Sequence, residues 1–411
     1  ILKDSTRSVV VVSAPGKSQE EGNKITDLLY LLHAHLKYGV DYQALFQLIR
    51  QRFETMAKEL NLSFDISSDF DRLKSQLSKT MDLEYLVSRG EYYNAVLMAE
   101  YLGYAFVDAK DVMKFDFHGS LDTEETNRLF EKALELHGKM VIPGFYGSYP
   151  NGQIHLLSRG GSDLTGSIAA RALSASVYEN WTDVTGILMA DPRIVKNPHK
   201  IHEITYHELR ELSYMGANVL HEDAILPLQD LDIPIHILNT NAPDETGTII
   251  RAHCGDETQV ITGLAGKKDF TVFTITKSNQ SRKISVIQDV LRVFEQYGVN
   301  VEHLPSSIDS FSVIVEATQV ERVFFDLIGK IHALDGVVGV DVEKEMALIS
   351  VVGRNMPSRP GIAGKLFSEF GRQGININMI AQSSQEINIV VGVKNSDFEK
   401  TIRAIYEAFV V

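Results

Sequence analysis

The feature that most constrains this chain is an internal repeat near its end. The segment DVLRVFEQYGVNVEHLPSS (289–307) lies, at an offset of 76 residues, over residues 365–383 within GKLFSEFGRQGININMIAQSS (364–384). Phe294 meets Phe370, Gly298 meets Gly374, Asn300 meets Asn376, Val301 meets Ile377 and Ser307 meets Ser383. Each copy reads as a helix, a glycine stop and an alternating apolar strand. A further apolar strand (FSVIVEA, EINIVVGV) and a second helix follow in both. Helical and strand periodicities cannot be exchanged, so the pattern predicts two βαββαβ units of about 75 residues. The second copy runs out at Val411 one strand short, so its sheet needs a strand from elsewhere, around Val260–Leu264.

Upstream, strand-like and helical stretches alternate. SVVVVSA (8–14) reads as a buried strand ended by Pro15-Gly16, and a helical pattern runs from Thr26 to Leu60 with a break near Tyr38-Gly39. Strands are expected at 104–109, 139–145, 176–184 and 233–238, with helices at 90–101, 122–137, 163–174 and 206–217 between them. Asp122 with Glu125 suggests a capping box and Gly138 a stop. Such alternation predicts an α/β domain, a mainly parallel sheet sandwiched by helices, over residues 1–251. HCGDETQ (253–259) reads as a linker to the repeats, which are placed at 260–343 and 344–411.

Composition removes several function classes. With 54 acidic and 40 basic side chains the net charge is −14, which repels polyanions and disfavours nucleic acid or an anionic membrane as partner. Cys254 is the sole cysteine, so an internal disulfide and a Cys-rich zinc site are excluded. No apolar run has the length of a membrane span and no signal peptide is evident, so a cytoplasmic protein is expected. The histidines of HEITYH (202–207) are five apart, not the four of a helical zinc site.

The strongest chemical motif is LLSRGGSDLTGSIAARAL (156–173), a strand, a glycine turn and a small-residue helix. Glycines let main-chain N–H groups approach an anion at a helix start, and Arg159 is suited to grip a carboxylate with two bonds. A glycine turn with Ser162 as plain N-cap fits the same residues. SRGEYYNAVLMA (88–99) reads similarly, with Gly90-Glu91 at a helix start and Glu91 able to hold an ammonium group. A capping glutamate is the simpler alternative there. NWTDVTGILMADPR (180–193) follows a strand, where open α/β sheets place ligand loops.

Taken in order, VVSAPGK with Asn23–Asp27, SRGE, GFYG (144–147), SRGGSD, WTDVTGI…DPR, YMGANVLHE (214–222) and TGTII (246–250) resemble the monofunctional aspartate kinases. Those are amino-acid-kinase-fold enzymes with two C-terminal α+β, ferredoxin-like ACT domains, and the match covers nearly the whole chain. The resemblance implies transfer of the γ-phosphoryl group of ATP, with Mg²⁺, to the β-carboxylate of L-aspartate, the opening step towards lysine, threonine and methionine. It implies that Thr26, Glu91 and the turn Arg159, Gly160, Gly161, Ser162 hold aspartate. Asp163, with Arg159, would organise the catalytic centre. Ser13, Thr182, Asp183, Leu188, Arg193, Asn218 and Val219 would line the nucleotide site. In the first repeat, Ser285, Val286 and Ile287 would face Glu302, Ser306 and Ser307 across an amino-acid effector at a homodimer interface. Lysine is the leading effector and threonine the second, with a tetramer as the larger assembly.

Three departures accompany the resemblance. The family's opening KFGG segment with its lysine is not found, and because the chain does not begin with Met, omission of the start is the expectation. Asn218 and Glu222 stand where the family often has lysine and proline, and Leu188 replaces a nucleotide-loop tyrosine. Another enzyme of the fold, such as glutamate 5-kinase or N-acetylglutamate kinase, and a non-catalytic amino-acid-sensing regulatory subunit are the competing readings.

Overall fold

The computed structural model describes residues 1–17, 22–157, 160–217, 220, 222–255, 260–278, 284–354, 356, 359–382 and 387–410. The chain divides into two compact units, residues 1–180 with 220–236, and residues 181–219 with 237–411.

The first unit is built on three parallel strands in the order β1-β3-β2: β1 (Val9–Val12), β2 (Ala105–Phe106) and β3 (Met140–Pro143). The central strand β3 is fully buried, as its unbroken apolar sequence requires. Helices α1 (Ile25–Tyr38), α2 (Gln43–Glu59), α3 (Ile66–Gln76) and α4 (Leu83–Leu102) share one apolar core. Leu28, Leu29, Leu32 and Leu36 place the buried stripe of α1 at helical spacing. Phe46, Phe53, Phe70 and Tyr93 fill the centre, with Phe70 and Tyr93 stacked at 4.6 Å. The break after Tyr38 lies where expected, with Gly39 left-handed at φ 68°. Helix α3 was not expected, because its stripe is only Ile66, Phe70 and Leu73 among charged residues.

A one-turn helix α5 (Ala109–Val112) precedes α6 (Thr123–His137). Asp122 caps α6 through Glu125 N, but the Glu125 carboxylate turns to Arg128, so only half of the expected box forms. The hairpin β4 (Tyr146–Ser148) and β5 (Ile154–Leu156) leads to α7 (Gly161–Ala172). Helix α7 buries Ile168, Ala169 and Ala172 against the same apolar cluster as Met140 and Ile142. Strand β6 (Tyr178–Thr182) then carries the chain out of the first unit.

The second unit holds β7 (Glu203–Thr205), α8 (Tyr206–Tyr214), the end of β8 (Ile235–Asn239) and β9 (Thr248–Arg251). Between α8 and β8 the chain makes the one-turn helix α9 (Leu226–Gln229) of the first unit. The strand order is β6-β8-β9-β7, with β7 parallel to β9.

The repeats form one antiparallel sheet, not the two expected. Its order is β11-β10-β12-β14-β13, with β10 (Gly263–Lys277), β11 (Ser310–Glu316), β12 (Val337–Val352), β13 (Met379–Gln382) and β14 (Asn388–Lys394). Strands β10 and β12 are long enough to run through both copies, so their hydrogen-bond ladder continues from one into the other. Gly263–Lys267, paired with Leu348–Val352, supplies the strand the second copy lacks. The ladder is interrupted between the halves, where Asp269 (φ 67°) and Glu345 (φ 57°) bend the two strands. Helices α10 (Ser285–Gln296), α11 (Ala317–Val320) and α12 (Phe324–His332) belong to the first copy, and α13 (Ile362–Arg372) and α14 (Phe398–Phe409) to the second.

Candidate active site

Thr26 and Glu91, two of the residues expected to hold substrate, lie beside the loop after β1 in the first unit. The Ser13 carbonyl accepts a bond from Asn94 Nδ2 at 2.7 Å, and Ile25 N donates to the Pro15 carbonyl at 3.2 Å. Arg52, reaching from α2, donates to the carbonyls of Asn23 (2.8 Å) and Gly16. The loop is therefore held from three helices. Thr26 sits in the first turn of α1, half-buried, beside this anchored segment.

Glu91 does not sit at a helix start. Helix α4 begins at Leu83, where Asp82 accepts from Tyr85 N at 2.7 Å, so Gly90 and Glu91 lie in its middle. The glycine serves packing: a Cβ there would meet Ala14 Cβ at 3.0 Å and Ile25 and Leu29 side chains at 3.2 Å. Close approach of α1 and the β1 loop puts the Glu91 carboxylate under the Ala14 main chain. The Ala14 and Glu91 N–H groups donate to it. Glu91 is only 4% exposed, and its Oε2 has no hydrogen-bond partner among the described residues. Burial pushes its carboxyl up to about 7, against the pull of those two N–H groups. A buried carboxylate with one oxygen unpartnered is a receptor for a cation or a proton.

The glycine turn is described from Gly160 onward. Gly160 is the N-cap of α7, left-handed at φ 76°, so Ser162 is not the cap but lies in the first turn. The Gly144 backbone packs directly against Ser162, and Thr165 Oγ1 accepts from Phe145 N at 3.0 Å. This fixes the end of β3 against the start of α7. Gly161, Ser162 and Asp163 thus form the first turn of a helix, where main-chain N–H groups favour an anion. Asp163 Oδ1 accepts from Asn180 Nδ2 at 2.9 Å. Arg159, Asn218 and Val219 lie outside the described residues.

In the second unit, Thr182 ends β6 with Asp183 just beyond it, and the Thr182 carbonyl accepts from Thr240 N (2.8 Å) and Oγ1 (2.9 Å). The loop that follows is pinned by Asn239 Nδ2 on Thr185 Oγ1 (2.8 Å) and by Thr248 Oγ1, which accepts from Ile187 N (2.9 Å). Leu188 is half-buried and bridges to Lys200. Arg193 is exposed and forks onto Asp191, the shortest contact being 2.6 Å, which holds that carboxyl below its usual range.

Helix α8 lays three polar side chains at a spacing of three residues onto the repeat sheet. Glu208 receives Arg354 Nε at 3.0 and 3.1 Å, Thr205 N and Oγ1 at 2.8 Å, and the Thr262 hydroxyl. Glu211 accepts from Asn388 Nδ2 at 2.5 Å, and Tyr214 Oη donates to Glu302 at 2.5 Å. Glu302 is thus engaged by Tyr214, while Ser306 and Ser307 are exposed on the extended segment beside β11. Ser285 opens α10, with Val286 buried and Ile287 packed in the same apolar cluster as Val301 and Phe311.

Sequence reasoning missed Asn94, Arg52 and Tyr178, and met Asn180 only as a letter of a motif. Asn94 was detectable, because it lies one turn beyond Glu91 on the same helix face. Arg52 was not, because a charged residue in a helix ordinarily reads as solvated.

A model described as the amino acid kinase family matches residues 1–239, and one described as an ACT domain matches residues 349–409. Aspartokinase 3 of Bacillus subtilis is 32% identical over 435 residues, spanning 100% of this chain and 93% of that protein. The crystal structure of aspartate kinase from Clostridium acetobutylicum, described as an allosteric enzyme, superimposes with a TM-score of 0.95 at 44% identity, covering 100% of this chain and 94% of that one. Aspartokinase III of E. coli in complex with aspartate and ADP gives a TM-score of 0.79 at 25% identity, with the same coverage.

Proposed function

The chain belongs to the amino acid kinase family, on its aspartokinase branch, and phosphorylates aspartate; from that premise we propose how its residues divide the work. The observation that carries the reading is Glu91, a buried carboxylate with one unpaired oxygen beside the anchored Ser13–Gly16 loop. It receives the ammonium group of L-aspartate. Thr26 and the Gly160–Ser162 turn, with Arg159, take the substrate carboxylates. The β-carboxylate attacks the γ-phosphorus of ATP, its bond to the β–γ bridging oxygen breaks, and 4-phospho-L-aspartate and ADP leave.

A carboxylate is already an anion at neutral pH, so no general base is needed. The work is positioning and stabilisation of charge on the phosphoryl oxygens. Main-chain N–H groups at the start of α7 suit that task, with Asp163 fixing the geometry beside them. Thr182, Asp183, Leu188 and Arg193, all in the second unit, take the nucleotide. Among the described residues, no cluster of three or more His, Cys, Asp or Glu is placed to hold a metal. A Mg²⁺ ion is expected to arrive on the nucleotide phosphates, where one or two protein carboxylates suffice. When bound, it neutralises phosphate charge.

The ACT repeats sense an amino acid. Ser285–Ile287 and Glu302–Ser307 form the effector site, with Glu302 meeting a second ammonium group, which favours lysine over threonine. The first copy exposes Ile284, Leu304, Ile308, Phe325 and Val338, an apolar set that a second copy of the chain covers in a homodimer. The enzyme works in the cytoplasm, supplying the route to lysine, threonine and methionine. Among the described residues no helix is long and apolar enough to cross a membrane.

The test is ATP-dependent acyl phosphate formation, trapped as the hydroxamate, with L-aspartate and with L-glutamate, each with and without lysine, on the full-length protein. Turnover with aspartate, suppressed by lysine, is expected. Turnover with glutamate instead, or none with either, overturns the reading.

A further inference from the structure

We propose that Asn180 is a positioning residue for the phosphoryl-transfer centre, acting through Asp163; this rests on the aspartate kinase reading and adds to it a side chain on the neighbouring strand. The geometry is a closed clamp within the first unit. The Asn180 amide nitrogen lies 2.9 Å from Asp163 Oδ1 and 3.2 Å from Tyr178 Oη, so its two hydrogens are both directed. Tyr178 Oη in turn donates to the main-chain carbonyl of Asp163 at 3.3 Å. One residue is thereby held twice, by side chain and by backbone, from alternate positions of strand β6.

The amide orientation follows from its partners. Reversed, the Asn180 carbonyl oxygen would face the Asp163 carboxylate, two acceptors without a hydrogen between them. Tyr178 reinforces the same choice. Burial and the nearby Asp163 carboxylate raise its pKa, so it remains a neutral hydroxyl that can accept from Asn180 while donating to Asp163. The clamp also explains Gly166, one turn along α7. A Cβ at that position would lie 2.6 Å from Tyr178 Oη and 2.7 Å from its ring, so any larger residue displaces the phenol. Asn180 is nearly buried, at 8% exposure, so water does not readily replace its bond.

A side chain that aims another by hydrogen bonding affects turnover more than substrate binding, because the geometry matters most in the transition state. The test compares Asn180→Ala and Asn180→Asp in the aspartate-dependent assay, with thermal melting to follow folding. Asparagine and aspartate are nearly the same shape, but aspartate sets a second carboxylate against Asp163. Positioning predicts kcat in the order wild type, Asn180→Ala, Asn180→Asp, with losses of roughly 10- to 100-fold for alanine and more for aspartate. KM for aspartate and ATP should change by less than about 3-fold. A packing role predicts the reverse order, with aspartate the milder change.

Tyr178→Phe supplies a second arm that keeps the fold's apolar ring. It should lower kcat several-fold in the wild-type background and have little effect once Asn180 is alanine, since the two act as one unit. Wild-type turnover with unchanged kcat in Asn180→Asp, or additive effects of Tyr178→Phe and Asn180→Ala, overturns the clamp. Absence of aspartate-dependent turnover in the wild type overturns the underlying reading instead.

Discussion

At the scale of single residues, Glu91 links function to stability. Its folded-state carboxyl is raised to about 7, so the folded protein binds a proton that the unfolded chain has already released near pH 4.5. Ligand-free stability therefore falls as pH rises from about 4.5 to 7 and is flat above. Substrate binding at Glu91, as proposed, runs the other way, because only the ionised carboxylate pairs with an ammonium group. KM for aspartate should climb as pH drops below about 7, with kcat at saturation changing less. Glu91→Gln should raise KM by at least about 10-fold while stabilising the ligand-free protein at pH 8 by up to roughly 3 kcal/mol, read by urea denaturation. A glutamine variant that is both less stable and normal in KM would remove Glu91 from the substrate site. The type of this residue was legible in the sequence. Its setting was not, since SRGE reads as a helix start until Ala14, Ile25 and Leu29 are seen packed on Gly90.

At the scale of elements, α8 joins the regulatory sheet to the segment that carries Asn218 and Val219. The buried Glu208–Arg354 pair fixes the helix start, with both side chains under 10% exposed, and Tyr214 at its end holds Glu302. On the proposed reading, an effector ammonium group at Glu302 competes with the Tyr214 hydroxyl for that carboxylate. Tyr214→Phe lacks that bond in both states, so the ratio of activities without and with saturating lysine should shrink by at least about 5-fold. Lysine binding, followed by calorimetry, should persist. Unchanged inhibition by lysine in this variant would show that the signal travels another way. The sequence announces α8 as an amphipathic helix of the right extent. It does not show that Glu208, Glu211 and Tyr214 meet partners from 88 to 177 residues away.

At the scale of the whole molecule, the proposed homodimer places its contact on the first repeat. Phe325 is 84% exposed and Ile308 88%, so both are available to the second copy proposed to cover them. Phe325→Asp with Ile308→Asp should convert a dimer to a monomer in sedimentation analysis and, with it, abolish inhibition by lysine. A wild-type chain that sediments as a monomer at micromolar concentration would sink the dimer.

What the sequence determined by itself was the kind and order of elements. Periodicity reports which face of a segment is apolar, and that property is local: the β-branched run of β1, the leucine stripe of α1 and the helix with its glycine stop in both copies formed. The strand expected after the glycine formed only in the second copy, as β13, while the first copy makes just isolated bridges at His303 and Ser306. The tertiary structure alone decided how the copies share hydrogen bonds. Strands β10 and β12 bend at Asp269 and Glu345, yet their ladder resumes beyond the bend and merges two expected sheets into one. The candidate site divides the same way. Motifs supplied Glu91, the glycine turn and Asp163, while Asn180, Tyr178, Asn94 and Arg52 acquire roles only through distances that no spacing in the chain encodes.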